Sequence, residues 1–412
     1  MPEHCAVPPD SGYCHLFVSA AVRRDIPPRQ PKGPPLLQPF CGKLGRPSRA
    51  APDAMKAAVL TSDRTLHFGD APDPDIRRGE VLVRISNAGI CGTDLHVYRG
   101  EFHGRVRFPA ILGHEFGGVI QEVGPDVRGL AAGDRVAVDP ILPCHACPAC
   151  LEGHINCCAT LKLLGLDLDG GFGQFVAVPQ ANLYRLPDNV GMKVVPMVEM
   201  YGLGHHVLQR GHVQPGETVA LLGAGKLGLS VLDVLCHGAG AAFTIVCDFA
   251  PFRLDTARAL GADHVVDIRH DDPVERAREL THGVGVDCVI ECVGHAHEIP
   301  GREPPLAQAV KMIRPGGRVV TAGLGEQLTP VHFKTLVMKE GEIIATRVTA
   351  GEFPRALRLL AKGLLHPERL ITHEMPVQEA AAAFKLVDSE DPGVIKVVLN
   401  MHEGIPSSRL GT

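Results

Sequence analysis

No run of like charges stands out along the 412 residues, and the formal net charge of −5 is small for that length. The chain therefore lacks a basic stripe able to track a phosphate backbone and a polybasic patch for an anionic membrane. No stretch approaches the roughly 20 consecutive apolar residues that a membrane-spanning helix requires. Internal repeats are absent as well. The apolar run in CHLFVSAAV is short, is preceded by Glu3 and Asp10, and has no basic region before it, so it does not read as a secretory signal. The early arginines are not set in an amphipathic pattern, which disfavours a transit peptide. These absences leave cytoplasmic small-molecule chemistry as the expectation, with neither nucleic acid nor membrane as a partner.

What is present is ordinary for a globular protein, 45% hydrophobic and 21% charged, in a chain long enough for two or three domains. Residues 1–54 contain PPRQPKGPPLLQP and little hydrophobic periodicity, and apolar alternation first appears in MKAAVL from Met55. They are expected to be a disordered extension, or to lie upstream of a true start at Met55. Residues 55–204 are short β-like runs such as EVLVRIS, GGVIQEVG and DRVAVDP, separated by Gly, Pro and Asp. Residues 205–345 alternate strand and helix, which predicts a doubly wound parallel sheet and an α/β fold. Residues 346–401 hold two helical stretches and a final strand, VIKVVLN, expected to complete the first domain, and 402–412 form a tail.

The hexapeptide GAGKLG at 223–228 follows the apolar strand VALL and opens a helix. Gly223 suits a tight turn, Gly225 lets the backbone approach a pyrophosphate, and Gly228 lets the helix pack close to the strand. Leu227 belongs to the same cofactor-binding set. A lone glycine motif is weak, but the next strand ends in Asp248, twenty residues after Gly228, where a carboxylate can bond an adenosine ribose. That carboxylate would repel a 2′-phosphate, so NAD is expected over NADP. Arg253 nearby softens the preference.

Residues 144–158 read CHACPACLEGHINCC, five cysteines in fifteen positions. Cys144, Cys147 and Cys150 recur every three residues on a turn-rich loop, a spacing that lets thiolates converge on one zinc ion. The fourth ligand is Cys157 or Cys158, and spacing does not choose between them. A disulfide framework is unexpected in a large chain without an export signal. A second constellation is looser. CGTDLH at 91–96 and GHEFGG at 113–118 supply Cys91 and His114, a soft thiolate and an imidazole that form a zinc pair able to leave a position open for substrate.

At this point residues 55–401 resemble the zinc-containing alcohol dehydrogenase family of the medium-chain dehydrogenase/reductase superfamily. MKAAVL, CGTDLH, GHEFGG, GDRVAV, the cysteine cluster, GGFGQFVAVP, GAGKLG, GVDCVIECVG and PGGRVVTAG carry the resemblance in order. It implies a β-rich GroES-like catalytic domain joined to a Rossmann dinucleotide-binding domain. Gly153 and Asn156 match the family register around the structural zinc, which makes Cys158 the fourth ligand and Cys157 a bystander. The resemblance also implies a catalytic zinc on Cys91 and His114, hence two zinc ions per chain. Glu115 matches an acidic neighbour that ligates directly or through water. Glu199 matches a further glutamate, but Met200 stands where the family usually has proline. Thr93 matches the hydroxyl that takes the substrate proton, His96 the outer proton shuttle, and Asp94 the carboxylate that orients His114. Lys226 replaces the common proline of the glycine motif.

The implied reaction passes a hydride between NAD and a secondary alcohol of a polyol or sugar acid, giving the ketone. CGTDLHVYRG, CHACPAC and LGLDLDGGF also look like the threonine 3-dehydrogenase branch. A non-catalytic binding relative would be expected to have lost Cys91, His114 or the glycines, and a quinone reductase would lack the zinc ligands. By analogy with the family, a dimer or tetramer of identical chains is expected.

Overall fold

The computed structural model describes residues 54–101, 104–241, 243–294, 302–325, 328–389 and 391–401. The extension expected over 1–54, apart from Ala54, and the tail at 402–412 lie outside the described residues. β1 (Met55–Leu60) and β2 (Leu66–Ala71) pair as an antiparallel hairpin. β3 (Glu80–Gly89) follows, then α1 (Gly92–Arg99), β4 (Glu115–Val123) and β5 (Arg135–Val138). β6 (Ile141–Leu142) pairs with β7 (Lys162–Leu163), and the lobe between them carries the short α2 (Pro148–Leu151). β8 (Phe175–Pro179) and β9 (Leu183–Arg185) return to the main sheet before the long α3 (Met197–Arg210).

The parallel sheet is built from β10 (Thr218–Leu222), β11 (Phe243–Asp248), β12 (His264–Asp267), β13 (Val286–Glu291), β14 (Ile313–Thr321) and β15 (Glu342–Ala345). Helices α4 (Lys226–Val234), α5 (Pro251–Ala259), α6 (Pro273–Leu280), α7 (Pro305–Met312) and α8 (Phe333–Met338) alternate with them. TVALL and FTIVCD are apolar almost throughout because helices cover both faces of a parallel sheet. The strand order is β12-β11-β10-β13-β14-β15, so the winding direction reverses between β10 and β13. In such sheets a crevice opens at the carboxyl ends of the strands where the order reverses.

The chain then adds α9 (Phe353–Ala361), β16 (Ile371–Pro376), α10 (Ala380–Asp388) and β17 (Lys396–Asn400). Phe353, Ala356, Leu357 and Leu360 bury one face of α9 at the spacing of 3.6 residues per turn. β17 pairs antiparallel with β3, placing Val398 opposite Gly89, and β16 lies parallel to β17. The seven-stranded sheet thus runs β16-β17-β3-β4-β5-β9, with β8 also paired to β3. Its core holds Val83, Ile85, Phe116 and Ile120 together with Val397 and Leu399 from the far end of the chain. Among the described residues no helix is long and apolar enough to cross a membrane.

Candidate active site and metal centres

Cys91 is the residue that ends the loop after β3 and caps α1. The Asp94 N–H donates to the Cys91 sulfur, and the Cys91 N–H donates to Asp94 Oδ2 at 2.8 Å. The other carboxylate oxygen, Oδ1, accepts from Gly113 N at 3.2 Å and lies 3.6 Å from His114 Nδ1. Asp94 therefore ties the Cys91 turn to the loop that presents His114. Donor atoms of Cys91, His114 and Glu115 lie within 4.8 Å of one another.

The charges around this trio are unusual for a buried place. Burial alone would raise the Cys91 thiol, but Lys226, His114 and Lys396 outweigh it and hold the group well below its ordinary value. Burial would likewise lower His114, yet Asp94 and Cys91 raise it well above the usual imidazole range. Glu115 is fully buried and pairs through Oε2 with the equally buried Lys396, whose ammonium also donates to Ile90 O at 3.1 Å. A Cβ on Gly89 would lie 2.5 Å from that carboxylate oxygen and 2.6 Å from Lys396 Cε, so the strand needs glycine there. Glu115 Oε1 and His114 Nδ1 are buried with no hydrogen-bond partner. A thiolate, an imidazole and a carboxylate with unused lone pairs form a donor set suited to zinc.

Glu199 sits in the first turn of α3, where the helix dipole favours a carboxylate. It is not one of the atoms in the trio. Burial pushes it up to about 7 against the pull of His114, with Cys91 and Asp139 adding to the rise. The proline expected after this glutamate is found instead at Pro196, the residue that caps α3, and Met200 is buried within the helix. Thr93 and His96 both lie on α1; Thr93 is half-buried, and His96 Nδ1 bonds Glu101 Oε2. Two neighbours escaped the sequence reading. Lys396 carried a signal, a single lysine inside the apolar strand VIKVVLN, whereas nothing local marked Asp139, whose carboxyl burial raises to about 7. Lys226 also gains a physical account: its ammonium lies 3.9 Å from where a Cβ on Gly92 would stand, at the mouth of the Cys91 turn.

In the cysteine lobe Cys144, Cys147, Cys150 and Cys158 bring their sulfurs within 4.8 Å of one another, and the exposed Cys157 is outside the set. Four sulfurs around one zinc would be separated by about 3.8 Å, given a Zn–S bond of about 2.3 Å. Backbone N–H groups already point at these sulfurs. Ala146 N and Cys147 N approach Cys144 Sγ at 3.5 and 3.3 Å, and Cys144 N approaches Cys158 Sγ at 3.2 Å. The bonds from Ala146 N and Cys147 N bring Cys144 down to about 6. Asn156 anchors the lobe to the rest of the molecule, donating to Arg347 O at 2.9 Å beside His206 on α3.

At the crevice of the parallel sheet the three glycines divide their tasks. Gly223 has φ +94°, a Cβ on Gly228 would collide with Gly223 O at 1.9 Å, and the space over Gly225 is open. Asp248 is buried, with Oδ2 accepting from Ala224 N at 2.7 Å and Oδ1 from Ala250 N at 2.8 Å. The carboxylate thus braces the glycine turn, and each oxygen keeps a further lone pair. Gly223, Gly225, Asp248, Arg253 and Arg302 line one cleft, and Leu227 packs half-buried behind the turn. Arg253 Nη2 reaches Val394 O at 3.3 Å.

Residues 77–188 match the family described as alcohol dehydrogenase GroES-like domain, and residues 227–362 match zinc-binding dehydrogenase. The chain is 34% identical to sorbitol dehydrogenase of Bacillus subtilis (strain 168), over 82% of this chain and 95% of that one. It is 32% identical to L-threonine 3-dehydrogenase of Bacillus velezensis, over 84% and 98%. A solved alcohol dehydrogenase from Escherichia coli CFT073, complexed with NADH, superposes with a TM-score of 0.77 at 33% identity, covering 84% of this chain and 99% of that one. A zinc-binding dehydrogenase from Sinorhizobium meliloti 1021, bound to NADP, gives 0.77 at 29%, covering 85% and 100%. With matches of this extent on both halves, the chain belongs to the zinc-containing alcohol dehydrogenase family of the medium-chain dehydrogenase/reductase superfamily.

Proposed function

We propose that the protein oxidises a secondary alcohol of a polyol or sugar acid to the ketone, with NAD as hydride acceptor and a catalytic zinc held by Cys91, His114 and Glu115. The observation that carries this reading is the convergence of those three donor atoms within 4.8 Å, in a chain whose glycine turn is braced by an acid. Bound there, zinc would lower the pKa of an alcohol, and NAD would take the hydride. Asp94 fixes the orientation of His114 and the cap of α1. As Thr93 Oγ1 accepts the alcohol proton it gives up its own hydroxyl proton into a relay that ends at His96, which, steadied by Glu101, delivers a proton to solvent. Glu199 faces the same charges from α3. The four clustered thiols would hold a second, closed zinc that stabilises the lobe and does no chemistry.

Asp248 favours NAD over NADP, since its carboxylate would meet a 2′-phosphate. The sorbitol dehydrogenase relative supports a polyol, and the threonine dehydrogenase relative supports an amino-acid side-chain alcohol as the second reading. A panel of polyols, sugar acids and threonine, followed by NADH absorbance, separates them. The polyol reading expects the largest kcat/KM on a polyol or sugar acid, and a preference for threonine would overturn it.

A further inference from the structure

On the face of α3 opposite Glu199, the Tyr201 hydroxyl donates to Asp233 Oδ2 at 2.7 Å. Asp233 belongs to α4 and is fully buried. The His366 N–H donates to the same oxygen at 2.7 Å, so Oδ2 is committed to two donors from the protein. The other oxygen, Oδ1, lies 3.0 Å from His237 Nδ1 and 3.0 Å from His366 Nδ1. His237 stands one turn after Asp233, in a π-helical turn (Leu235–Ala239) that extends α4, and its Nδ1 is also 3.1 Å from Asp233 O. The two rings meet edge to face with centroids 4.6 Å apart. Their side chains are 30% and 32% exposed above a fully buried carboxylate.

We propose that Asp233, His237 and His366 form a separate binding site for a divalent first-row transition metal ion. The three ligand atoms lie within 4.8 Å of one another. Ligands about 2.0–2.1 Å from a tetrahedral ion are separated by about 3.3 Å, close to the two contacts on Oδ1. Two imidazoles with one carboxylate suit zinc, cobalt or nickel, whereas magnesium and calcium demand oxygen. The carboxylate is oriented as a metal ligand requires: Tyr201 and the His366 backbone hold its outer oxygen, and the inner one is aimed at the rings. π-helical turns recur at functional sites, and this one sets His237 at the rim. The half-exposed rings leave a path for the ion and room for water to complete its shell. Bound metal would staple α4 to the loop between α9 and β16, across 133 residues of chain.

The test uses the full-length protein dialysed until it holds two zinc ions per chain and then titrated with Co2+ alone, with cobalt and zinc both counted by elemental analysis. One cobalt per chain should bind while zinc content stays constant. His237→Gln and His366→Gln should each weaken that cobalt at least tenfold, and Tyr201→Phe should weaken it about 10- to 100-fold, as loss of an orienting partner does. Both histidines are at the surface, and thermal unfolding of each variant reports whether it folds. Cobalt should also raise the Tm of the wild type and not of the two histidine variants. No cobalt uptake overturns the proposal, as does equal uptake in both histidine variants. A thiolate-to-cobalt charge-transfer band, or cobalt entering only as zinc leaves, would place the ion on the cysteines and equally overturn it.

Discussion

Around the proposed catalytic metal the decisive contest is between two glutamates. Glu115 is within reach of Cys91 and His114 but shares its charge with Lys396, while burial raises Glu199 to about 7. Distance favours Glu115, so Glu115→Gln should lower occupancy of the catalytic zinc more than Glu199→Ala, measured by elemental analysis after dialysis. The opposite order would make Glu199 the direct ligand. Lys396 is part of the same balance. Removing one member of a buried ion pair typically costs about 3–5 kcal/mol, so Lys396→Met should lower stability to urea by that order. The double variant Lys396→Met/Glu115→Gln should recover most of the loss, and a neutral single variant would show that the pair contributes nothing. Thr93→Ala should keep zinc and NAD while slowing oxidation by about 10²–10⁴-fold, the usual contribution of a positioned proton acceptor. These residues were unequally legible. Cys91, His114 and Glu115 stand in two short motifs, but the partner of Glu115 comes from a strand 281 residues away, a pairing that no local pattern encodes.

Helix α3 joins several parts of the molecule through its polar side chains. Glu199 turns toward the Cys91 site, Tyr201 toward Asp233, and His206 bonds Glu352 at the start of α9, at 2.9 Å. Its sequence, MVEMYGLGHHVLQR, announced a helix, and the glutamate announced a role. The family proline after Glu199 is absent, with Met200 in its place, and the helix is capped by Pro196. His205 on this helix makes a test of its packing. Burial, with Arg355 and Arg358, pushes the ring down from 6.5 to about 4, and its Nε2 is buried without a partner. A group whose folded pKa lies below its unfolded value binds more protons when unfolded, so its contribution is complete above about pH 6.5 and is lost as pH falls toward 4. His205→Leu should therefore flatten the acid side of the stability curve. Between pH 6.5 and 4 the Tm of wild type should fall more steeply than that of the variant, and parallel curves would show that the ring titrates alike in the folded and unfolded states.

For the whole molecule, the alternation of ETVALLG, FTIVCD, HVVD and DCVIECVG was enough to read a parallel doubly wound sheet, since strands covered on both faces are apolar throughout. The mostly antiparallel sheet was less legible, because its order depends on long-range pairings such as β17 with β3, and ITHEMP carries too little alternation to mark a strand. The cysteine lobe lies between these extremes: its spacing announced a zinc site, and the fourth ligand needed the register of Gly153 and Asn156. That choice has a consequence at the level of the intact protein. If Cys158 completes a closed four-thiolate site, Cys158→Ser leaves three sulfurs and an incomplete shell in a lobe of little apolar core, whose fold then loses the binding energy of the metal. The exposed Cys157 lies outside the cluster, so Cys157→Ser should leave Tm unchanged. Wild type purified without chelator and dialysed against metal-free buffer should retain close to two zinc ions per chain, Cys157→Ser the same, and Cys158→Ser about one, with a lower Tm. Cys91→Ser should also fall to about one zinc, but with a smaller loss of Tm, because the open site borders a braced turn rather than supporting a lobe. One zinc or fewer in the wild type after reconstitution would remove one of the two assignments, and whichever cysteine variant then lost no metal would identify which.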